Sequence, residues 1–206
     1  MRKTIESVGL VMGWFAVTAQ LVLMLQNRVT DIPENIVRFF SFFTVLTNIL
    51  VALYFTSMAF QLKKKPFSVF FKSGTITALA TFILLVGLVY QIILRSIWEP
   101  SGLQLVVDEL LHTIIPLYFL IYWFLYAKPL DFKFKSLWYW MLYPLIYFIL
   151  IIIRGHFSKF YPYPFVNVTE IGYVGVAQNF IVIFGSVILL IAILVLIGKG
   201  KTKTIP

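Results

Sequence analysis

Apolar residues along the chain gather into six long runs, with polar residues confined to the short stretches between them. Five runs carry Lys, Arg, Asp, Glu or His at their ends at most, and one carries a small acidic and histidine cluster near one end. About 20 consecutive apolar residues suffice for a helix to cross the hydrocarbon core. The pattern therefore predicts six transmembrane helices, at 5–25, 37–60, 74–94, 103–126, 137–153 and 173–197. The expected fold class is an all-α integral membrane bundle, one domain over 1–206. The longest connection, 154–172, leaves no room for a soluble domain. Function is expected inside the membrane or at its surface. No repeat among the segments points to an inverted-repeat transporter.

Composition removes several alternatives. Charged residues are 12% of the chain and hydrophobic residues 61%, against roughly 25% charged in soluble domains, so a water-soluble globule is excluded. With no cysteine, disulfides, thiolate metal sites and cysteine nucleophiles are excluded too. A formal charge of +9 would suit nucleic acid. The basic residues instead flank apolar segments, where the positive-inside rule accounts for them, and no nucleic-acid partner is expected. Twelve of the 17 Lys and Arg, Lys203 among them, fall in the two tails and the second and fourth connections; Arg28, Arg38, Arg95, Arg154 and Lys159 fall on the other side. Both termini are thus expected in the cytoplasm, in the inner or plasma membrane of a bacterium.

The first apolar stretch runs to Leu25, beyond the usual 7–15 residues or so of a signal h-region, so it reads as an uncleaved helix. Asn167-Val168-Thr169 matches a glycosylation sequon, with meaning only in a eukaryotic secretory pathway. Six of the eight acidic residues fall on the non-cytoplasmic side, and a site is expected to open there.

Inside such featureless helices the few polar residues carry the functional information. Segment two contains Ser41, Thr44, Thr47 and Asn48; segment four contains Asp108, Glu109 and His112. Counted from the non-cytoplasmic face at about 1.5 Å per residue, Thr44 and His112 both come to lie roughly 10–14 Å deep. A hydroxyl and an imidazole at one level are the minimum for a nucleophile with a general base. Thr44, Thr47 and Asn48 share one helical face, which leaves the nucleophile open between the two threonines. The plainer reading is that these residues bond carbonyls one turn back or glue helices together.

Asp108 precedes His112 by one turn and is placed to hold an imidazole nitrogen, while Glu109 is expected to face water. Glu109-x-x-His112 also matches half of a di-iron ligand set. The second pair and two further Glu that such a site needs are absent, so neither metal nor other cofactor is expected. Asn48 and Asn179, and with them Gln91, Gln178 and Arg154, are candidate oxyanion donors. Gln91, Gln178 and Tyr163 are candidate substrate contacts, and Arg154 is an interfacial anchor or a guide for a lipid carboxylate. The stiff run Tyr161-Pro162-Tyr163-Pro164-Phe165 reads as an interfacial aromatic belt or as a lid.

Three motifs, Phe42-Phe43-Thr44-Val45-Leu46-Thr47-Asn48, Leu111-His112-Thr113 with Pro116, and Tyr163-Pro164-Phe165 with Ile171-Gly172, resemble in order and spacing those of the androgen-induced-gene type membrane proteins. That family includes the androgen-dependent regulator of tissue factor pathway inhibitor and bacterial relatives. The resemblance covers most of the chain. It implies a six-span intramembrane threonine hydrolase cleaving fatty acid esters of hydroxy fatty acids or similar lipid esters, with Thr44 and His112 matching the family's threonine and histidine. Phe42-Phe43 stands where the animal members carry a Trp-Lys-aromatic-Leu run. The partners implied are the bilayer and a lipid ester substrate. Two other classes fit the polar pattern: a small carrier of lipid or weak acid using His112 and Asp108 as a proton site, and a non-catalytic assembly subunit.

Overall fold

The computed structural model describes the backbone of residues 1–204 and the side chains of residues 1–201. The side chain of Lys203, counted above toward the cytoplasmic side, lies outside that set. Among the described residues there are helices and no strands.

Helix α1 (Arg2–Gln26) leads to the short α2 (Ile32–Phe39), and a 70° bend separates α2 from α3 (Phe43–Ala59). Helix α4 (Thr75–Val89) ends in a π-helical turn, Tyr90–Leu94. Helix α5 (Gly102–Glu109) passes through a second π turn, Leu110–Ile114, into α6 (Ile115–Tyr126). Helix α7 (Phe134–Leu137) continues through a 3₁₀ turn into α8 (Leu142–Ser158), and α9 (Val168–Thr204) closes the chain.

Five of these helical stretches are long and apolar enough to cross a bilayer, and the α2–α3 pair makes a sixth crossing only as a bent unit. The longer and more apolar limb of that unit is α3. The continuous span expected at 37–60 is thus interrupted at Phe40–Phe42, where Phe42 takes extended backbone angles ahead of α3. Three consecutive apolar or small residues, Phe40, Ser41 and Phe42, keep the hydrophobic run unbroken in sequence while the backbone turns. The first, fifth and last spans extend beyond their expected boundaries. The fifth crossing covers Phe134–Ser158, not 137–153. The last begins at Val168, with Gly172 at φ 67° separating a first turn from the long helix, so the connection expected at 154–172 contracts to 159–167.

Helix α4 is the hub, buried along most of its length and packed on α3, α6 and α9. Helix α1 lies against α3 through Gly9-x-x-x-Gly13. A Cβ on Gly9 would stand 2.6 Å from the Phe55 ring, and one on Gly13 would stand 2.9 Å from Ala52 Cβ and 3.2 Å from its Cα. Small residues one turn apart let helix axes approach closely enough for backbone van der Waals contact, which drives association where no hydrophobic effect operates between lipid-soluble surfaces.

Connections alternate between the two ends of the bundle. At the end away from α2, the buried Glu6 carboxylate accepts hydrogen bonds from Arg2 Nε at 2.8 Å and the Tyr122 hydroxyl at 2.7 Å, joining α1 to α6. There too Asp131 accepts the backbone N–H of Gly74 at 2.8 Å and of Lys128 at 2.9 Å, tying down the connection before α7.

The α1–α3 contact generates a direct expectation. Gly13→Val drives a branched side chain into Ala52 and its backbone, and overpacking of this kind costs about 1–3 kcal/mol. The thermal midpoint in detergent should fall, whereas Val11→Ala, on the exposed face of the same helix, should leave it close to wild type.

Candidate active site

The break before α3 leaves the first amides of that helix without partners of their own, and tyrosine hydroxyls take them up. Phe43 N–H donates to the Tyr147 hydroxyl and Thr44 N–H to the Tyr163 hydroxyl, each at 3.2 Å. Tyr147 in turn donates to the Ser41 carbonyl at 2.9 Å. The Thr44 Oγ1 lies 3.3 Å from the Tyr163 hydroxyl, and Thr47 Oγ1 lies 2.9 Å from that of Tyr143. Thr44 therefore sits on the first turn of α3 and not several residues along a continuous helix.

The histidine side is built by the two π turns. In the second, the amide of Ile115 bonds the carbonyl of Leu110. The next donor for Leu111 would be residue 116, a proline without N–H. Asn48 fills the gap: its Nδ2 donates to the Leu111 carbonyl at 3.3 Å and to the Thr44 carbonyl at 2.9 Å. One side chain thus ties the backbone beside His112 to the backbone of Thr44, and the second and fourth segments meet. The His112 carbonyl, whose α-helical donor would also be residue 116, faces Gly87, where a Cβ would stand 3.0 Å from the oxygen. Asn48 Oδ1 is buried without a hydrogen-bond partner.

The ring of His112 stacks on Tyr90, centroids 4.1 Å apart and planes 10° from parallel. Its Nδ1 lies 2.9 Å from the main-chain carbonyl of Asp108. A carbonyl only accepts, so Nδ1 carries the proton and Nε2 keeps its lone pair. The expectation that the Asp108 carboxylate holds the ring is corrected here. That carboxylate is 3.9 Å from Nδ1 and instead accepts from the Tyr90 hydroxyl at 3.2 Å and from Gln104 at 3.4 Å. A carbonyl oxygen has two lone pairs, and that of Asp108 accepts the imidazole N–H of the residue one turn on.

Two cavities meet at Thr44. The larger, about 610 Å³, opens toward the α1–α2 connection and is lined by Thr44, His112, Asp108, Tyr90, Arg38 and Tyr163 among others. The smaller, about 70 Å³, is an apolar slot between α4, α8 and α9 with Phe43, Val86, Phe148, Phe180 and Val187 in its walls. Thr44, Leu94 and Tyr163 border both. Thr47 borders neither and is fully buried.

Other sequence candidates lie elsewhere. Gln91 and Gln178 are exposed and border neither cavity; Gln91 closes a ring with Arg95, Glu109 and Thr113 that joins the two π turns. The water-facing role expected for Glu109 gives way to this pairing, with Arg95 at 2.6 Å. Of the other proposed oxyanion amides, Asn48 is engaged as described and Asn179 donates to the Phe165 carbonyl at 3.0 Å. Among the described residues no group of three or more acidic or histidine side chains converges.

The aromatic run forms a strap across the cavity. Arg154 donates to Glu34 at 2.7 Å, Arg38 donates to the same carboxylate at 2.9 Å, and both guanidinium groups face the Phe160 ring. Arg154 is a fastener of this strap, and it lies outside the cavity that contains His112. Pro162, Tyr163 and Pro164 follow along the cavity wall, and the ring of Tyr161 lies flat where any side chain at Gly155 would be. Sequence reasoning missed Tyr90, Tyr143 and Tyr147 altogether. The signal for the second π turn was Pro116, four residues after His112, and Tyr90 carried none. The helical tyrosines carried no signal beyond their spacing at i and i+4.

No family model matches this chain, and comparison with curated proteins and with solved structures likewise returned no match.

Removing the Asn48 amide strands the Leu111 carbonyl in the core, which costs about 1–3 kcal/mol. Asn48→Leu should accordingly lower the thermal midpoint more than Thr47→Val. The strap also has a pH signature. Hydrogen bonds from Arg38, then from Arg154, outweigh burial and hold the Glu34 carboxyl below its ordinary range. A depressed value stabilises the folded strap above the unfolded pKa of about 4.3, and that contribution disappears as pH falls through the folded value. Hydrogen-exchange protection factors across 160–163 should drop in acid for wild type, and should be low and insensitive to acid in Glu34→Gln.

Proposed function

We propose that the protein is an intramembrane lipid-ester hydrolase in which Thr44 is the nucleophile and His112 the general base. The observation that carries this reading is that Thr44 Oγ1 and a histidine fixed in the tautomer with a free Nε2 border one cavity. A hydroxyl is a weak nucleophile until its proton is taken, and a neutral imidazole lone pair is suited to take it. Thr44 is favoured over Thr47, whose hydroxyl is buried against Tyr143 away from both cavities.

The substrate class is a membrane-soluble ester. Its acyl portion occupies the apolar slot, and the carbonyl reaches Thr44 where slot and larger cavity join. Low-dielectric walls strengthen every polar interaction around the reacting carbon. Attack gives an acyl-threonine and releases an alcohol; water admitted through the larger cavity then clears the acyl group. The end carrying α2 and the strap faces the non-cytoplasmic side, in keeping with the distribution of Lys and Arg. The resemblance to the threonine hydrolases points to fatty acid esters of hydroxy fatty acids as the first compounds to assay.

Fluorophosphonate labelling of the purified protein tests the reading. Wild type and Thr47→Ala should label; Thr44→Ala should not. His112→Ala should label and turn over esters about 10²–10⁴-fold more slowly, the range that a positioned base contributes. Folded wild type that neither labels nor hydrolyses any ester would overturn the proposal, and pH-dependent uptake into proteoliposomes would then favour a carrier.

A further inference from the structure

Ester cleavage at Thr44 places negative charge on the carbonyl oxygen of the tetrahedral intermediate, and a donor must already be aimed there for the step to be fast. Of the amides that sequence offered, Asn48 and Asn179 are spent on backbone carbonyls, and Gln91 and Gln178 border neither cavity. The group that stands beside the nucleophile is the Tyr163 hydroxyl, 3.3 Å from Thr44 Oγ1. It accepts the Thr44 N–H at 3.2 Å, which uses a lone pair and leaves its own proton to donate toward Oγ1 or toward an oxygen attached to the carbon that Oγ1 attacks.

The hydroxyl is held there before any substrate arrives. The Tyr163 ring stacks on Phe165, centroids 5.0 Å apart and 6° from parallel, and meets the edge of Phe42 at 5.7 Å. Prolines on both sides, Pro162 and Pro164, restrict the backbone. The far end of the strap is fastened by Glu34 between Arg38 and Arg154. Tyr163 is also one of the three residues, with Thr44 and Leu94, that border both cavities. A carbonyl at their junction therefore has this hydroxyl as its neighbour, and Leu94 has nothing to donate.

We infer that Tyr163 is a catalytic residue, the donor that stabilises the oxyanion formed on attack by Thr44. The inference rests on Thr44 being the nucleophile. In the step, the Thr44 Oγ–carbon bond forms as the Oγ proton passes to His112 Nε2, and the carbonyl π pair moves onto oxygen. On collapse that pair returns, the carbon–alkoxide bond breaks and the leaving oxygen takes the proton from His112. Tyr163 keeps its proton throughout and lends only a hydrogen bond, which shortens as charge develops.

The experiment is steady-state hydrolysis of 4-nitrophenyl octanoate by the full-length protein in nanodiscs, comparing wild type, Tyr163→Phe, Tyr143→Phe and Thr44→Ala. Loss of one oxyanion donor costs about 10²–10³ in kcat, so Tyr163→Phe should show that loss with KM within about twofold, the split expected for an interaction made only in the transition state. Tyr143→Phe, which removes a hydroxyl from Thr47 instead, should stay near wild type. A Tyr163→Phe enzyme with wild-type kcat beside an inactive Thr44→Ala would overturn the role of Tyr163 and leave the nucleophile standing. Equal losses in Tyr163→Phe and Tyr143→Phe would also overturn it, by assigning both hydroxyls to the packing of α3. Full activity in Thr44→Ala would remove the reading on which the inference rests. If Tyr163→Phe does not fold, 3-fluorotyrosine at 163 replaces it. The alkaline fall of kcat should then move to the lower pH at which the fluorophenol ionises, and an unmoved limb would reject the role.

Discussion

A backbone inside hydrocarbon has no water to satisfy its N–H and C=O groups, so every departure from the regular α-helix has to be met by a partner from the protein itself. Three such departures shape the candidate site: the break before α3 and the two π turns of α4 and α5–α6. The break and the second π turn leave polar groups whose side-chain partners lie beside Thr44 and His112. Tyr147 and Tyr163 meet the amides at the start of α3, and Asn48 meets the carbonyl that Pro116 leaves behind. The irregular backbone and the site are one construction, as expected where non-helical segments at membrane depth line a cavity.

The same constraint orders the rest of the bundle. Regular helices with nothing to answer can associate through small residues, as Gly9 and Gly13 do against Phe55 and Ala52, and can remain apolar on their lipid faces. Polar residues are then concentrated where they are used. The ring of Gln91, Arg95, Glu109 and Thr113 clamps the π turns to one another, and Glu34 with its two arginines holds the strap from the opposite side. Tyr90 and His112 are stacked between these fastenings. An imidazole placed by rigid neighbours keeps one tautomer and one orientation, the preorganisation that a general base requires.

Much of this was legible in the chain. The apolar runs located the five helices long and apolar enough to cross a bilayer and the bent α2–α3 pair, and the scarcity of polar residues within them singled out Thr44, Thr47, Asn48, Asp108 and His112 before any geometry was known. Thr44 and His112 do border one cavity. The partners of those residues were less legible. Asp108 holds the histidine by its main-chain carbonyl, while its carboxylate is taken by Tyr90 and Gln104. Asn48 and Asn179 stabilise backbone and are not free to stabilise an oxyanion. Gln91 and Gln178, polar and at suitable depth, face outward, since depth along a helix says nothing about azimuth when the whole surface is apolar.

The sequence by itself determined the class of structure. Hydrophobic length, the absence of cysteine and the placement of basic residues leave little other than a multi-pass helical protein, because transfer of such runs into lipid is favourable wherever they occur and needs no tertiary information. Tertiary structure decided where the helix of segment two begins, which carbonyls lose their amides and which hydroxyls replace them. These depend on contacts between residues far apart in the chain, such as Thr44 with Tyr163 and Asn48 with Leu111, and a run of phenylalanines reads the same whether its backbone is helical or turned. Hydrophobicity is a property of each residue, while the satisfaction of a broken backbone is a property of what comes to lie beside it.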